Sequence, residues 1–150
     1  MPRLKLRTND QGYLLLETLL TASIFFILFP IVTLKVNDIY KAKQLSEFVD
    51  SFETTLYHAQ MTALSEHRFV YVQMNNTSEE IYSYYSWSER LETLKIPPNI
   101  QIQRGNLPNT LRFSPDGNIT QAGSLYILSP PLTYKLTLLL GQGRFYVEKQ

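Results

Sequence analysis

The residues that could do chemistry are few, and their spacing argues against most of it. His58 and His67 are nine positions apart, which is not the i, i+4 step that sets two imidazoles on one helix face for zinc. Each reads as a surface or sheet-junction histidine. Serines are plentiful, but no G-x-S-x-G elbow presents one to a substrate. Gly141-Gln142-Gly143-Arg144 lacks the lysine of a phosphate-cradling loop, and its glycines suit a tight turn. The acidic pairs Glu79-Glu80 and Glu89/Glu92 lack the dense oxygen spacing of a calcium loop and read as solvated charge. Cysteine is absent, which excludes a disulfide framework, a thiolate metal site and a cysteine nucleophile together. The expectation is therefore no catalytic residue, no metal and no cofactor: the chain is read as a non-enzyme.

Nucleic acid is the ligand class that needs more weighing. Tyr82, Tyr84, Tyr85 and Trp87 stand just ahead of Arg90, and such aromatics beside a cation could stack on single-stranded bases. Their alternation in "IYSYYSW" is read more economically as a strand with one face buried and one aromatic face left for a partner subunit. From His67 onward Arg68, Arg90, Lys95, Arg104, Arg112, Lys135, Arg144 and Lys149 stand against Glu79, Glu80, Glu89, Glu92, Asp116 and Glu148. That excess is slight. Over the whole chain 14 Lys+Arg meet 13 Asp+Glu, so no global field calls for a polyanion.

The elements that must position these residues begin with an apolar run. Arg3, Lys5 and Arg7 precede Gly12, and no charged residue occurs from Thr18 to Leu34, so a basic flank is followed by a segment of spanning length. Lys35, Lys41 and Lys43 lie beyond the other end, and the cytoplasmic assignment of the N-terminus leans on the tighter basic cluster at the start. The sequence after the run, "KVNDIYKAK", has no small-x-small cleavage site, which argues against removal of the apolar segment. Instead the small residue, Gly12, stands ahead of the run. Glu17 is the one carboxylate between Gly12 and Leu34, and a charge at such depth costs about 2.5 kcal/mol or more without a partner.

Basic leader, Gly12, aromatic Tyr13, three aliphatics, Glu17 and a long apolar stretch resemble the class III signal of type IV pilins and pseudopilins. The resemblance implies that a prepilin peptidase cuts after Gly12, that Tyr13 becomes the mature N-terminus and a site of methylation, and that Glu17 acts in assembly. There its partner would be the free amine of a Tyr13, in a neighbouring subunit or its own. The family usually has phenylalanine where this chain has Tyr13. Pro30 lies inside the apolar half, where it removes a helix hydrogen bond; prolines at comparable depth are common in the family.

Beyond the membrane, Ile39, Leu45, Phe48, Val49, Phe52, Leu56, Ala59, Ala63 and Leu64 recur at helical steps with charges interleaved, as in an amphipathic helix packed on one side. After Glu66 the period changes to two. Seven runs, 68–74, 79–87, 99–104, 110–114, 124–128, 133–140 and 144–149, read as strands separated by Asn-, Pro- and Gly-rich turns. Asp116-Gly117 suits a hairpin, and Gly141-Gln142-Gly143 can close the last one. The expected fold is α+β and pilin-like, a long N-terminal helix on an antiparallel sheet. Its expected segments are a leader (1–12), a transmembrane or filament-core helix (13–34), an amphipathic helix (35–66) and a β domain (67–150).

The tail, "LRFSPDGNITQAGSLYIL" and "YKLTLLLGQGRFYVEK", resembles the GspH/FimT branch of minor pilins, and the "LLET" start with the "LGQGR" close is most similar to the minor pilins of Gram-positive competence pili. The stretch from Tyr71 to Asn109 carries no such likeness. The resemblance implies a membrane-anchored minor pilin, N-terminus cytoplasmic and C-terminal domain outside, later on a surface pilus. Its expected partners are the membrane, a prepilin peptidase, and other minor and major competence pilins, in a complex that serves DNA uptake. A DNA receptor with weak contacts at Arg112 and Arg144, and a type II secretion pseudopilin, are the alternatives.

Overall fold

The structure is a computed structural model that describes residues 10–86, 89–141 and 144–150, without the side chains of 10, 11, 31–36 and 86. The leader cations Arg3, Lys5 and Arg7, together with Trp87, Gln142 and Gly143, lie outside the described residues. By its contacts the chain divides into two compact units, Met1–Tyr40 and Lys41–Gln150.

The first unit is helix alone. Helix α1 (Asp10–Glu66) begins in it, and Gly12–Pro30 is a 19-residue span of mean hydropathy 1.9 that the chain leaves uncovered. Its hydroxyls are satisfied within the helix: Thr18 donates to the Leu15 carbonyl at 2.9 Å, Thr21 to Glu17 and Thr18 at 3.0 Å, and Ser23 to Leu20 at 2.9 Å. Such back-bonding is what lets hydroxyl side chains sit in an apolar medium.

In the second unit α1 turns amphipathic. Leu45, Phe48, Val49, Phe52, Leu56, Ala59 and Ala63 are buried, at steps that keep them on one face. The expected apolar stripe is too long at both ends: Ile39, in the first unit, is 68% exposed and Leu64 44%. The helix stops on backbone geometry. His67 takes a left-handed conformation (φ 51) and the Arg68 N–H donates to the Ala63 carbonyl at 3.3 Å, the bond that closes a Schellman cap. A non-glycine residue rarely adopts that conformation, so the stop is held by tertiary contacts on either side of it.

Eight strands follow: β1 (Val70–Asn75), β2 (Glu80–Ser86), β3 (Glu89–Lys95), β4 (Gln101–Arg104), β5 (Thr110–Phe113), β6 (Gly123–Ser129), β7 (Leu132–Leu138) and β8 (Phe145–Lys149). They form two antiparallel four-stranded sheets, ordered β3-β2-β1-β5 and β4-β6-β7-β8. Two features depart from the expectation. The strands divide into two sheets, because β5 crosses back to β1 while β4 pairs with β6. And β3, "ERLETLK", is a strand although no period-two apolar signal marks it: it is an edge strand with no fully buried residue.

One core joins all three layers. Val70, Val72, Met74, Ile81, Leu111 and Phe113 of the first sheet and Ile102, Leu125, Ile127, Leu136 and Leu138 of the second cluster with the buried stripe of α1. Turn chemistry sets the strand ends. Asn75 Oδ1 accepts the N–H groups of Thr77 and Ser78 at 3.0 and 3.2 Å, an Asx turn between β1 and β2. At Ser114–Asn118 the chain folds back tightly, with Gly117 at φ 69 and Phe113 bridging Ile119. The Asp116-Gly117 hairpin thus exists as a single bridge, after which the chain leaves for the second sheet.

Candidate functional site

Three surfaces concern function. The first is the start of α1. Gly12 lies in the helix, and a Cβ built there would meet nothing within 4 Å. Among the described residues neither packing nor backbone conformation asks for glycine at that position. Tyr13 beside it is 72% exposed. Glu17, one helical turn on, is exposed and has no ion-pair partner among the described residues. Gly12, Tyr13 and Glu17 therefore share the opening turns of an uncovered apolar helix.

The second surface is where α1 ends against strand edges. His58 Nδ1 lies 3.4 Å from Glu92 Oε2, and Arg68 Nη2 lies 3.6 Å from Glu89 Oε2 while its guanidinium covers the Tyr85 ring at 4.3 Å. Tyr57 packs on Phe145 of β8 with ring centroids 4.4 Å apart, and Gln60 donates to the Gly117 carbonyl at 2.8 Å. Glu89 and Glu92, read from sequence as solvated charge, stay largely exposed, with Glu92 reaching His58 on the helix and Glu89 reaching Arg68 just past its end. Tyr57, Met61 and Leu64 follow at i, i+4 and i+7 as an exposed apolar stripe. Nearby, Glu53 is held above the usual carboxylate range by partial burial and then by the charge of Asp50.

The third surface is the outer face of the first sheet. The strand register sets Arg112 opposite Tyr71, Tyr71 opposite Tyr84 and Tyr84 opposite Arg90, one row across all four strands. Tyr71 and Tyr84 stack with centroids 5.4 Å apart, and Tyr82 leans on Tyr84 at 5.7 Å. The Arg90 guanidinium lies over the Tyr82 ring at 4.4 Å and that of Arg112 over Phe69 at 5.2 Å. The Tyr84 hydroxyl is pushed above its ordinary range, first by burial and then by the neighbouring Tyr82 and Tyr71. The expected exposed aromatic face of β2 is corrected here: Tyr82 and Tyr84 are buried in this ladder, and Tyr85 turns to the other side under Arg68. Arg112 and Arg144, the two cations expected to contact DNA together, are not brought onto one sheet; Arg112 is on β5 and exposed Arg144 immediately precedes β8. The cation that shares a strand row with Arg112 is Arg90.

Elsewhere a cleft of about 560 Å³ opens between the β1–β2 turn and β4, lined by Asn76, Glu79, Ile96, Ile100 and Ile102 among others. Asn76 closes part of it by donating to the Ile102 carbonyl on the free edge of β4 at 2.9 Å. Among the described residues no three His, Asp or Glu side chains converge as a metal site would need.

No protein-family model matches the chain, and no curated protein matches it. Solved structures do. The type IV minor pilin FimU of Pseudomonas aeruginosa superposes with a TM-score of 0.61 at 14% identity, over 71% of this chain and 90% of that one. The chain has a pilin-like fold. A second crystal form of FimU gives 0.59 at 14% identity, over 69% of this chain and 91% of that one. The minor pseudopilin EpsH of the Vibrio cholerae type 2 secretion system gives 0.52 at 12% identity, over 67% and 92%. At these identities the likeness is one of fold.

Proposed function

We propose that the chain is a minor pilin, a structural subunit that joins other pilins through its N-terminal helix. The observation that carries this reading is Gly12. It stands directly ahead of an uncovered apolar span, in a pilin-like fold, where the described residues give a glycine no reason. A peptidase that must approach the backbone closely supplies one. In this reading residues 1–12 are a leader, Tyr13 is the mature N-terminus and methylation site, and 13–34 passes from the membrane into a filament core. Residues 35–66 and 67–150 then form the rest of the subunit, with the N-terminus cytoplasmic and the C-terminal domain outside. Glu17 pairs with the amine of a Tyr13, which removes the cost of an isolated carboxylate in an apolar medium.

The finer assignment is a tip or initiation subunit of a competence pilus, most similar to the minor pilin ComGD and acting in DNA uptake. It rests on the "LLET" start and the "LGQGR" close. A type II secretion pseudopilin is the second reading, favoured by the EpsH likeness. The deciding experiment is the N-terminal mass of the protein from cells with and without prepilin peptidase, wild type beside Gly12→Ala. A chain starting at Tyr13 only when both peptidase and Gly12 are present supports the pilin pathway, and an uncut chain in every sample removes it. Capture of competence pilins by the processed chain selects the competence reading, and capture of a secreted protein selects the other.

A further inference from the structure

We propose that the free edge of β8 takes up an extended strand of another protein, antiparallel to it, with apolar residues opposite Phe145 and Val147, a base opposite Glu148 and an acid opposite Lys149. An unpaired sheet edge is a template for a further strand unless something blunts it. Three of the four edges of the two sheets are blunted. On β5 the outward groups are taken up by the chain's own return: the Thr120 N–H donates to the Arg112 carbonyl at 3.0 Å, and the Ser114 N–H to that of Asn118 at 2.8 Å. On β4, four residues long, the Ile102 carbonyl accepts Asn76 Nδ2 at 2.9 Å. The register of β3 with β2 shifts twice, and the strand carries Glu89, Arg90, Glu92 and Lys95 and is followed by Pro97 and Pro98.

β8 has none of these devices. Its register against β7 is unbroken from Phe145 to Lys149. The bonds at its two ends, from the Leu139 N–H to the Arg144 carbonyl at 3.0 Å and from the Gln150 N–H to that of Thr133 at 2.9 Å, fix the alternation, so that Arg144, Tyr146, Glu148 and Gln150 bond to β7. The N–H and C=O groups of Phe145, Val147 and Lys149 therefore point away from β7, and among the described residues no hydrogen bond reaches them. Exposed apolar side chains flank this edge: Tyr146 on β8 itself, Leu139 and Leu140 just past β7, and Tyr57 of α1, whose ring lies 4.4 Å from that of Phe145. The register also decides the chemistry of the occupant. Phe145 and Val147 face the core, so residues opposite them point to that same side and are apolar. Glu148 stands opposite Lys135, and a base beyond it continues a row of alternating charge; Lys149 asks for an acid in the same way. A second copy fits less well, because β8 paired with itself about Val147 sets Lys149 against Phe145 and Glu148 against Tyr146, and neither charge meets its opposite. The reading of Gly12 plays no part in this inference.

The test uses the full chain in nanodiscs of zwitterionic lipid and, as probe, a labelled peptide with the central sequence Glu-Lys-Val-Thr-Ile, which supplies the required residues in order from Lys149 back to Phe145. Fluorescence anisotropy measures its affinity, and amide exchange resolved by residue shows where it lies. Without peptide, the amides of Phe145, Val147 and Lys149 should exchange about tenfold or more faster than those of Tyr146 and Glu148, and with it they should slow by about tenfold or more. Methylating the peptide's valine nitrogen, which faces the Val147 carbonyl, should abolish binding, while methylating its threonine nitrogen, which points away, should leave most of it. Exchanging the peptide's glutamate and lysine should weaken it about fivefold. Val147→Pro removes an outward N–H without touching a bond to β7 and should also abolish binding; near-ultraviolet circular dichroism confirms that the variant keeps its fold. Absence of binding at millimolar peptide overturns the proposal. So does an equal loss from the two methylated peptides, which marks contact through side chains alone, or slow exchange of the three amides in a self-associated chain without peptide, which puts a second copy on the edge.

Discussion

His58 and Glu92 meet across the space between α1 and the edge strand β3, imidazole nitrogen to carboxylate oxygen at 3.4 Å. With Arg68 and Glu89 at 3.6 Å this contact fastens a strand that has no fully buried residue of its own. Along β3 Glu92 thus meets the helix and Glu89 meets Arg68 just past it, while Arg90 lies over Tyr82.

Replacing His58 and Arg68 together by alanine should loosen β3 without unfolding the domain. Both pairs are solvent-exposed, so the expected loss of global stability is about 1 kcal/mol or less. Amide exchange at Leu91 and Leu94 should accelerate more than at Val72 or Ile127. Uniform acceleration would mean that the helix contacts stabilise the whole core rather than this edge.

Phe52 is fully buried in the core where α1 meets the sheets. Phe52→Ala should destabilise the chain by about 3–5 kcal/mol in chemical denaturation, the range for emptying an aromatic site in a packed interior. A loss under about 1 kcal/mol would show that α1 is not integral to that core.

Gly117 has φ 69, and a Cβ there would meet Leu64 at an ordinary contact distance of 3.6 Å. The cost of Gly117→Ala is therefore one of backbone conformation, about 1–2 kcal/mol. Gly12→Ala meets no atom within 4 Å and should leave stability within about 0.5 kcal/mol. Thermal unfolding of the two variants side by side checks the contrast.

Glu53 is raised above its ordinary value of 4.5, by burial first and by Asp50 second. A carboxyl raised on folding takes up protons more readily in the native state, so its contribution is full below 4.5 and is lost as pH rises through the folded value. Glu53→Gln should thus be slightly more stable than wild type at neutral pH, by under about 0.5 kcal/mol since the site is half-exposed. The difference should disappear below pH 4.5. Denaturation midpoints on either side of that value measure it.

Glu17→Leu should leave membrane insertion intact, because it removes the one charge in the Gly12–Pro30 span. Under the assembly reading it should sharply reduce recovery of the protein in sheared pili. Unchanged recovery would separate Glu17 from assembly.

The sequence by itself determined the parts that local patterning encodes. An uncharged run marks the anchor, a 3.6 period with a common buried face marks α1 from Leu45 to Ala63, and apolar alternation with Asn, Pro and Gly turns marks seven of the strands. The start from Gly12 to Glu17 was legible because it is contiguous. Periodicity states which side of an element is buried and is silent on which element covers it. For that reason the division into two sheets, the strand β3 and the burial of Tyr82 and Tyr84 were decided only by tertiary pairing. The row Arg112, Tyr71, Tyr84, Arg90 is the plainest case. Its members come from four strands, and the register that aligns them is set by the core on the opposite face of the same sheet.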